Sequence, residues 1–193
     1  MLKHGFLILA HSNFGLLERI ISLLSKENHY FFINIDKKSE GCDNFIDLCK
    51  KKFKNIYFLE GKEQLKVNHA GFSMVKAEIK LLEKAHEKEM DYVHLISGQD
   101  FPVKSNYEFD LFFENNLGKS FMHFDSLEEG KIWSKNKYPE RIKFFYFMDF
   151  PFRNHKLGDF IYRALTKISK KLPIRKDIPG LWAGWQQHLQ TDH

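Results

Sequence analysis

Short apolar runs alternate with helically spaced apolar positions over the first 125 residues. Phe6–Ala10, Tyr30–Ile35, Ile56–Leu59 and Tyr92–Ile96 are runs of the kind that form strands covered on both faces. Behind a Ser12 N-cap, Leu16, Leu17, Ile20, Ile21, Leu23 and Leu24 recur at helical spacing. A second helix is expected over Asp43–Lys52. Phe72, Val75, Ile79 and Leu82 mark the apolar face of a long third helix reaching Glu89. Asn106–Asn115 predicts a helix that closes near Gly118, and Ser120–Phe124 a fifth strand. This β-α-β-α-β rhythm predicts an α/β fold with a mostly parallel sheet flanked by helices and right-handed crossovers.

Past that point the pattern changes. Lys143–Phe152 crowds aromatics together and is broken by Pro151, Leu157–Lys171 reads as a basic helix, and 172–193 has no secure period. No repeat, low-complexity tract or Gly/Ser linker divides the chain, so a single domain over 1–193 is expected.

Strand ends are where an open α/β sheet meets its ligand. Asp36 stands directly after the second run. Its carboxylate suits a uracil N3–H or a ribose hydroxyl, or the backbone N–H groups of its own turn, the commoner role for an aspartate in that position. His11 closes the first run, either beside a nucleotide or as a surface histidine. The helix starting at Ser12 and Asn13 favours an anion nearby. Ser97, Gly98, Gln99 and Asp100 end the fourth run. Gly98 admits close backbone approach to a ligand, and Asp100 either orients a sugar hydroxyl or caps the turn. Asp125, Glu128, Glu129 and the Lys137–Arg141 stretch line an acceptor pocket or form a mixed-charge loop.

Composition narrows the classes. With 43% hydrophobic and 28% charged residues the chain is globular in type, and 20 phenylalanines call for an aromatic core or cleft. A net charge of +5 fits an anionic partner or a lysine-rich surface. Cys42 and Cys49 are too few for a disulfide scaffold, so reduced thiols and a cytoplasmic location are expected. Gly5–Ala10 is too short for a signal core, and no apolar run spans a bilayer. There is no glycine-rich dinucleotide or P-loop fingerprint, no His-Glu-x-x-His and no Asp-x-Asp, so no metal is expected.

Four segments together resemble the core-2/I-branching β-1,6-N-acetylglucosaminyltransferase family, which includes the peptide O-xylosyltransferases. They are Phe6-Leu7-Ile8-Leu9-Ala10-His11, Ile33-Asn34-Ile35-Asp36-Lys37-Lys38-Ser39, Gly71-Phe72-Ser73-Met74-Val75-Lys76-Ala77 and His94-Leu95-Ile96-Ser97-Gly98-Gln99-Asp100-Phe101-Pro102-Val103-Lys104-Ser105-Asn106. The resemblance covers about residues 5 to 175, and the compact form looks bacterial. It implies a GT-A-like fold, a UDP-sugar donor, a glycan acceptor and an inverting transfer without metal or other cofactor. It places His11 and Asp36 near the uridine, with Asp36 on the uracil, and Ser97, Gly98, Gln99 and Asp100 beside the donor sugar. Asp125 and Arg141 fall roughly where the family makes acceptor contacts. Residues 1–125 are then the nucleotide-sugar part and 126–193 the acceptor side.

The chain departs from the family in two places. It has Asn68-His69-Ala70-Gly71 where the family has tryptophan-glycine-glycine. It stops just after Leu181-Trp182-Ala183-Gly184-Trp185, ahead of the family's catalytic glutamate and diphosphate-binding cations. A truncated copy with an incomplete C-terminal part, no catalytic base and weak or absent transfer is therefore expected. The alternatives are a non-catalytic sugar-nucleotide or glycan-binding module and, last, a basic nucleic-acid-binding protein, for which no recognition motif is present. Uncovered aromatics at Phe144, Phe145, Tyr146, Phe147 and Phe150 predict self-association. The basic helix predicts peripheral contact with the inner face of a membrane.

Overall fold

The computed structural model describes residues 1–69, 71–126, 144, 146, 147, 149, 156–171 and 182–190, with 122–126 and 182–190 given by their backbone alone. The chain groups into two compact units. The first comprises Met1–Val67, Val75–Met122 and Gln186–His193, the second Asn68–Met74 and His123–Trp185.

The first unit is built on four parallel strands: β1 (His4–Ala10), β2 (His29–Ile35), β3 (Ile56–Phe58) and β4 (Tyr92–Ser97). The helices are α1 (Phe14–Leu24), α2 (Cys42–Lys52), α3 (Phe72–Glu87) and α4 (Asn106–Glu114). Strands β5 (Phe121–Ser126) and β6 (Trp182–Gln190) complete the order β3-β2-β1-β4-β6-β5. Strand β6 runs antiparallel to β4, with Tyr92 opposite Gln190 and His94 opposite His188. It falls in the stretch for which no period was expected, because its glutamines and histidine break the apolar run.

Side chains alternate across the strands, and both faces are covered. Phe6, Ile8 and Ala10 of β1 and Phe31, Ile33 and Ile35 of β2 meet Leu17, Ile20, Ile21 and Leu24 of α1 and Phe45, Ile46 and Cys49 of α2. Leu7, Phe32 and Val93 turn the other way and pack with Leu81 and Ala85 of α3 and with Met90. Helices α1 and α2 thus cover one face and α3 the other. The chain winds outward from β1 in both directions, which makes the gap between β1 and β4 a topological switch point.

Two local expectations are corrected. The N-cap of α1 is Asn13, not Ser12. Asn13 adopts the left-handed conformation at φ 55°, and its side chain accepts from the Leu16 amide at 3.3 Å. Asparagine tolerates that conformation better than most residues. The buried face of α3 is Ala77, Leu81 and Ala85, while Phe72, Val75, Ile79 and Leu82 are exposed. Two alanines flanking one leucine let the helix backbone approach the sheet closely. The larger side chains would hold it off.

The second unit contains the start of α3 and helix α5 (Lys156–Lys171). Of the aromatics expected to be uncovered, Phe147 is exposed, Phe144 and Tyr146 are half-buried, and Phe145 and Phe150 lie outside the described residues. Cys42 and Cys49 are free. Burial, followed by the charge of Glu18, pushes the Cys49 thiol up to about 11, so it is an inert core residue. No helix among the described residues is long and apolar enough to cross a membrane.

Candidate functional site

The carboxyl ends of β1, β2 and β4 bring His11, Asp36 and Ser97–Asp100 to one edge of the first unit. Ala10 pairs with Ile35 on one side of β1, and Leu9 pairs with Ser97 on the other. Two backbone bonds extend this register into the turns. The Asp36 amide donates to the Ala10 carbonyl at 2.8 Å, and the Gly98 amide donates to the Leu9 carbonyl at 3.0 Å. The residues singled out at the ends of β1, β2 and β4 therefore lie at the same edge of the sheet as the switch point.

Asp36 is buried, and its two carboxylate oxygens have different work. Oδ1 accepts from the Lys38 amide at 3.1 Å and from the Val67 amide at 3.3 Å. Oδ2 lies 3.3 Å from the Lys38 ammonium, which also donates to the Val67 carbonyl at 2.8 Å. A strap of chain is fastened over the end of β2 by the same logic. The Leu65 amide donates to Asn34 Oδ1 at 3.0 Å, and Gln64 Nε2 donates to the Ile35 carbonyl at 3.2 Å. The turn reading of Asp36 is thus met by its Oδ1. Oδ1 secures its turn, while Oδ2 pairs with the Lys38 ammonium.

His11 is exposed, and its carbonyl accepts from the Ser39 hydroxyl at 2.7 Å, tying the turn after β1 to the turn after β2. Lys38 and Ser39 were not picked out from the sequence as site residues. Their place two and three positions after a strand-end aspartate is the signal that could have found them.

The second turn is closed on itself. The Ser97 amide donates to Asp100 Oδ2 at 2.6 Å, the Gln99 amide to Ser97 Oγ at 3.2 Å, and the Asp100 amide to the Ser97 carbonyl at 3.2 Å. Asp100 therefore caps its turn through Oδ2. The missing Cβ of Gly98 makes room for β1 rather than for a ligand: a Cβ there would stand 2.9 Å from that of Ala10. Ser97, Gln99 and Asp100 are exposed. Asp125 lies on β5, where the backbone alone is described, and Arg141 lies outside the described residues.

A cleft of about 330 Å³ lies elsewhere, along edge strand β3 between Lys50, Tyr57, Glu60, Leu81, Lys84 and Lys88. Its cations are already engaged. Lys50 pairs with Glu60, Lys84 with Glu87, and Lys88 sits over the Tyr57 ring at 5.1 Å.

One further cluster sits at the opposite, amino-terminal edge. His4, His29 and Asp110 are buried and close enough to share a cation. Most of their polar atoms already have partners, His4 Nε2 being the exception among the described residues. His29 Nδ1 donates to the Leu24 carbonyl at 2.7 Å, its Nε2 meets Asp110 Oδ1 at 2.8 Å, and His4 Nδ1 meets His94 Nε2 at 3.0 Å. Lys26 pairs with Asp110 Oδ2. Burial alone would raise the Asp110 carboxyl, but the bonds and charges of Lys26 and His29 outweigh it and hold it below the usual carboxylate range. Burial, with His29 beside it, lowers His4 to about 4. This network anchors α4 to the sheet.

In the second unit, Asp149 caps the start of α3. Its Oδ2 accepts from the Ser73 amide at 2.8 Å, and its Oδ1 from the Ser73 hydroxyl and from Asn68 Nδ2 at 3.2 Å. Burial opposes ionisation, yet these bonds hold its carboxyl below the ordinary value. No feature of the sequence pointed to Asp149, which is 76 positions away from Ser73.

Known proteins share these segments. Over 109 residues the chain is 30% identical to a zebrafish (Danio rerio) beta-1,3-galactosyl-O-glycosyl-glycoprotein beta-1,6-N-acetylglucosaminyltransferase 4, covering 54% of this chain and 24% of that one. It is 27% identical over 121 residues to the human N-acetyllactosaminide beta-1,6-N-acetylglucosaminyl-transferase, covering 60% and 29%. It is 24% identical over 122 residues to xylosyltransferase sqv-6 of Caenorhabditis briggsae, covering 61% and 15%. The chain spans less than a third of the length of these relatives. The model of the Core-2/I-Branching enzyme family matches residues 5–157, a span that contains every strand-end turn described above, and the chain belongs to that family.

Proposed function

We propose that this edge is the donor-binding half of an inverting glycosyltransferase that uses a UDP-sugar, with N-acetylglucosamine as the sugar and a glycan hydroxyl as acceptor. The observation that carries the reading is the β1/β4 switch point with Asp36 at the neighbouring strand end, its Oδ2 paired with the Lys38 ammonium at 3.3 Å. In this reading Asp36 Oδ2 accepts the uracil N3–H, His11 borders the nucleoside, and the Ser97–Asp100 turn borders the donor sugar. The relatives named as acetylglucosaminyltransferases support the choice of sugar. In the transfer, the acceptor oxygen forms a bond to the anomeric carbon, the bond from that carbon to the UDP oxygen breaks, and the acceptor proton passes to a carboxylate base. No Asp-x-Asp pair occurs in the chain, which favours lysine or arginine over a divalent cation as the neutraliser of the diphosphate.

A second reading, a sugar-nucleotide-binding module without turnover, is favoured by one observation. Asp36 Oδ1 and Asp100 Oδ2 both serve their own turns, so the described edge offers recognition rather than a poised base. Calorimetry with UDP and with GDP tests the shared part: selective binding of UDP is expected, and equal affinity for both, or for neither, contradicts the assignment. Release of UDP from UDP-N-acetylglucosamine in the presence of a glycan acceptor then separates the enzyme from the binding module.

A further inference from the structure

Helix α5 carries its apolar residues on one side and its cations on the next. At 100° per residue, Phe160, Ala164, Leu157, Ile168, Ile161 and Leu165 share an arc of roughly 140°. Lys156, Arg163, Lys167 and Lys170 occupy the adjoining arc, and Lys171, in the last turn, falls within the apolar one. The single acid, Asp159, is bonded to Arg163 Nε at 2.8 Å.

An amphipathic helix normally turns its apolar arc to the protein. This one does so only in part. Its buried residues are Gly158 and Ser169, on the small, polar edge. Leu157 is 71% exposed, Phe160 69% and Ile168 56%. The helix leans on its unit through glycine and serine, with Ile161 and Leu165 half-buried beside them, and leaves Leu157, Phe160 and Ile168 exposed.

The charge says what kind of surface fits. Four cations and one internally paired acid border the apolar arc, a fifth cation, Lys171, stands at its C-terminal end, and the whole chain carries +5. A water–lipid boundary with anionic headgroups meets both demands. The acyl region takes Leu157, Phe160 and Ile168, while the headgroup phosphates take the lysines, whose alkyl stems reach past the apolar arc. We propose that α5 lies in the plane of an anionic bilayer surface with this arc inserted. The proposal does not depend on the donor assignment.

Sedimentation of the whole chain with lipid vesicles tests it. Binding is expected to vesicles of phosphatidylcholine mixed with phosphatidylglycerol, and not to phosphatidylcholine alone. It should weaken between about 0.1 M and about 0.5 M salt, as the headgroup attraction is screened. Phe160→Ser with Leu157→Ser should weaken it by roughly tenfold or more, since burial of apolar area supplies the insertion. Lys167→Glu with Lys171→Glu, which touches only exposed positions, should do the same through charge. Circular dichroism matching the parent chain shows that each variant is folded. Absence of binding to the anionic vesicles, equal binding to neutral ones, or folded variants that bind like the parent would overturn the proposal. A dimer lost in the Phe160→Ser variant, with vesicle binding unchanged, would overturn it as well.

Discussion

The Asp36 amide donates to the Ala10 carbonyl at 2.8 Å, which hooks the turn after β2 onto the last residue of β1. One residue earlier, the Leu9 carbonyl accepts from the Gly98 amide at 3.0 Å and holds the turn after β4 on the other side. The central strand thus positions both flanking turns through its own last two carbonyls. A Cβ at residue 98 would stand 2.9 Å from Ala10 Cβ and 3.3 Å from its Cα, and neither atom is the end of a flexible side chain. Gly98→Ala is therefore expected to cost about 1–3 kcal/mol, the usual range for overpacking. Urea unfolding measures it, and a variant as stable as the parent would show that the two turns are not tightly packed.

Helix α3 supplies a paired comparison. Leu81 is 1% exposed between Ala77 and Ala85, whereas Ile79, two residues away, is 47% exposed. Leu81→Ala is expected to destabilise by about 2–5 kcal/mol. Ile79→Ala is expected to change stability by less than about 1 kcal/mol. Equal losses in chemical denaturation would restore the face expected from the sequence.

That face illustrates what the sequence could and could not convey. Phe6–Ala10, Tyr30–Ile35 and Tyr92–Ile96 were legible as strands because strands covered on both sides admit few polar residues. The strand-end positions of His11, Asp36 and Asp100 followed from where those runs stop. The face of α3 was not legible, because the periodicity of large residues carried more weight than the closeness two alanines allow. Asn13 was missed because a left-handed cap depends on its own backbone angle rather than on a pattern. The His4–His29–Asp110 network and the Asp149 cap join residues from 25 to 106 positions apart, and only the folded chain brings them together.

His4 makes stability depend on pH. In the unfolded chain its imidazole has the ordinary value of 6.5, whereas burial first and His29 second lower it to about 4 in the folded chain. Between those values the unfolded chain binds a proton that the folded chain refuses. The stabilisation is complete above pH 6.5 and is lost progressively as pH falls toward 4, to a total on the order of 3 kcal/mol. Unfolding free energies across this window should fall less steeply for His4→Gln than for the parent. Parallel curves would mean that His4 is not held neutral.

Asp149 contributes through the start of α3. Replacement by alanine removes the acceptor for the Ser73 amide and hydroxyl, and should cost about 0.5–2 kcal/mol, as loss of an N-cap does. Amide exchange at Phe72–Met74 should speed up, while the middle of α3 changes less. Unchanged exchange at those three amides would rule out the cap.

The donor assignment rests on Asp36 Oδ2, and Asp36→Asn isolates that atom. The amide oxygen can still accept from the Lys38 and Val67 amides, but the NH₂ in place of Oδ2 cannot accept from a uracil N3–H. Calorimetric titration of UDP into parent and variant is the most direct measurement. The account expects a fold stability within about 1 kcal/mol of the parent and UDP binding weaker by roughly 10- to 100-fold, the worth of one hydrogen bond to a charged group. An Asp36→Asn chain that binds UDP as tightly as the parent would contradict it.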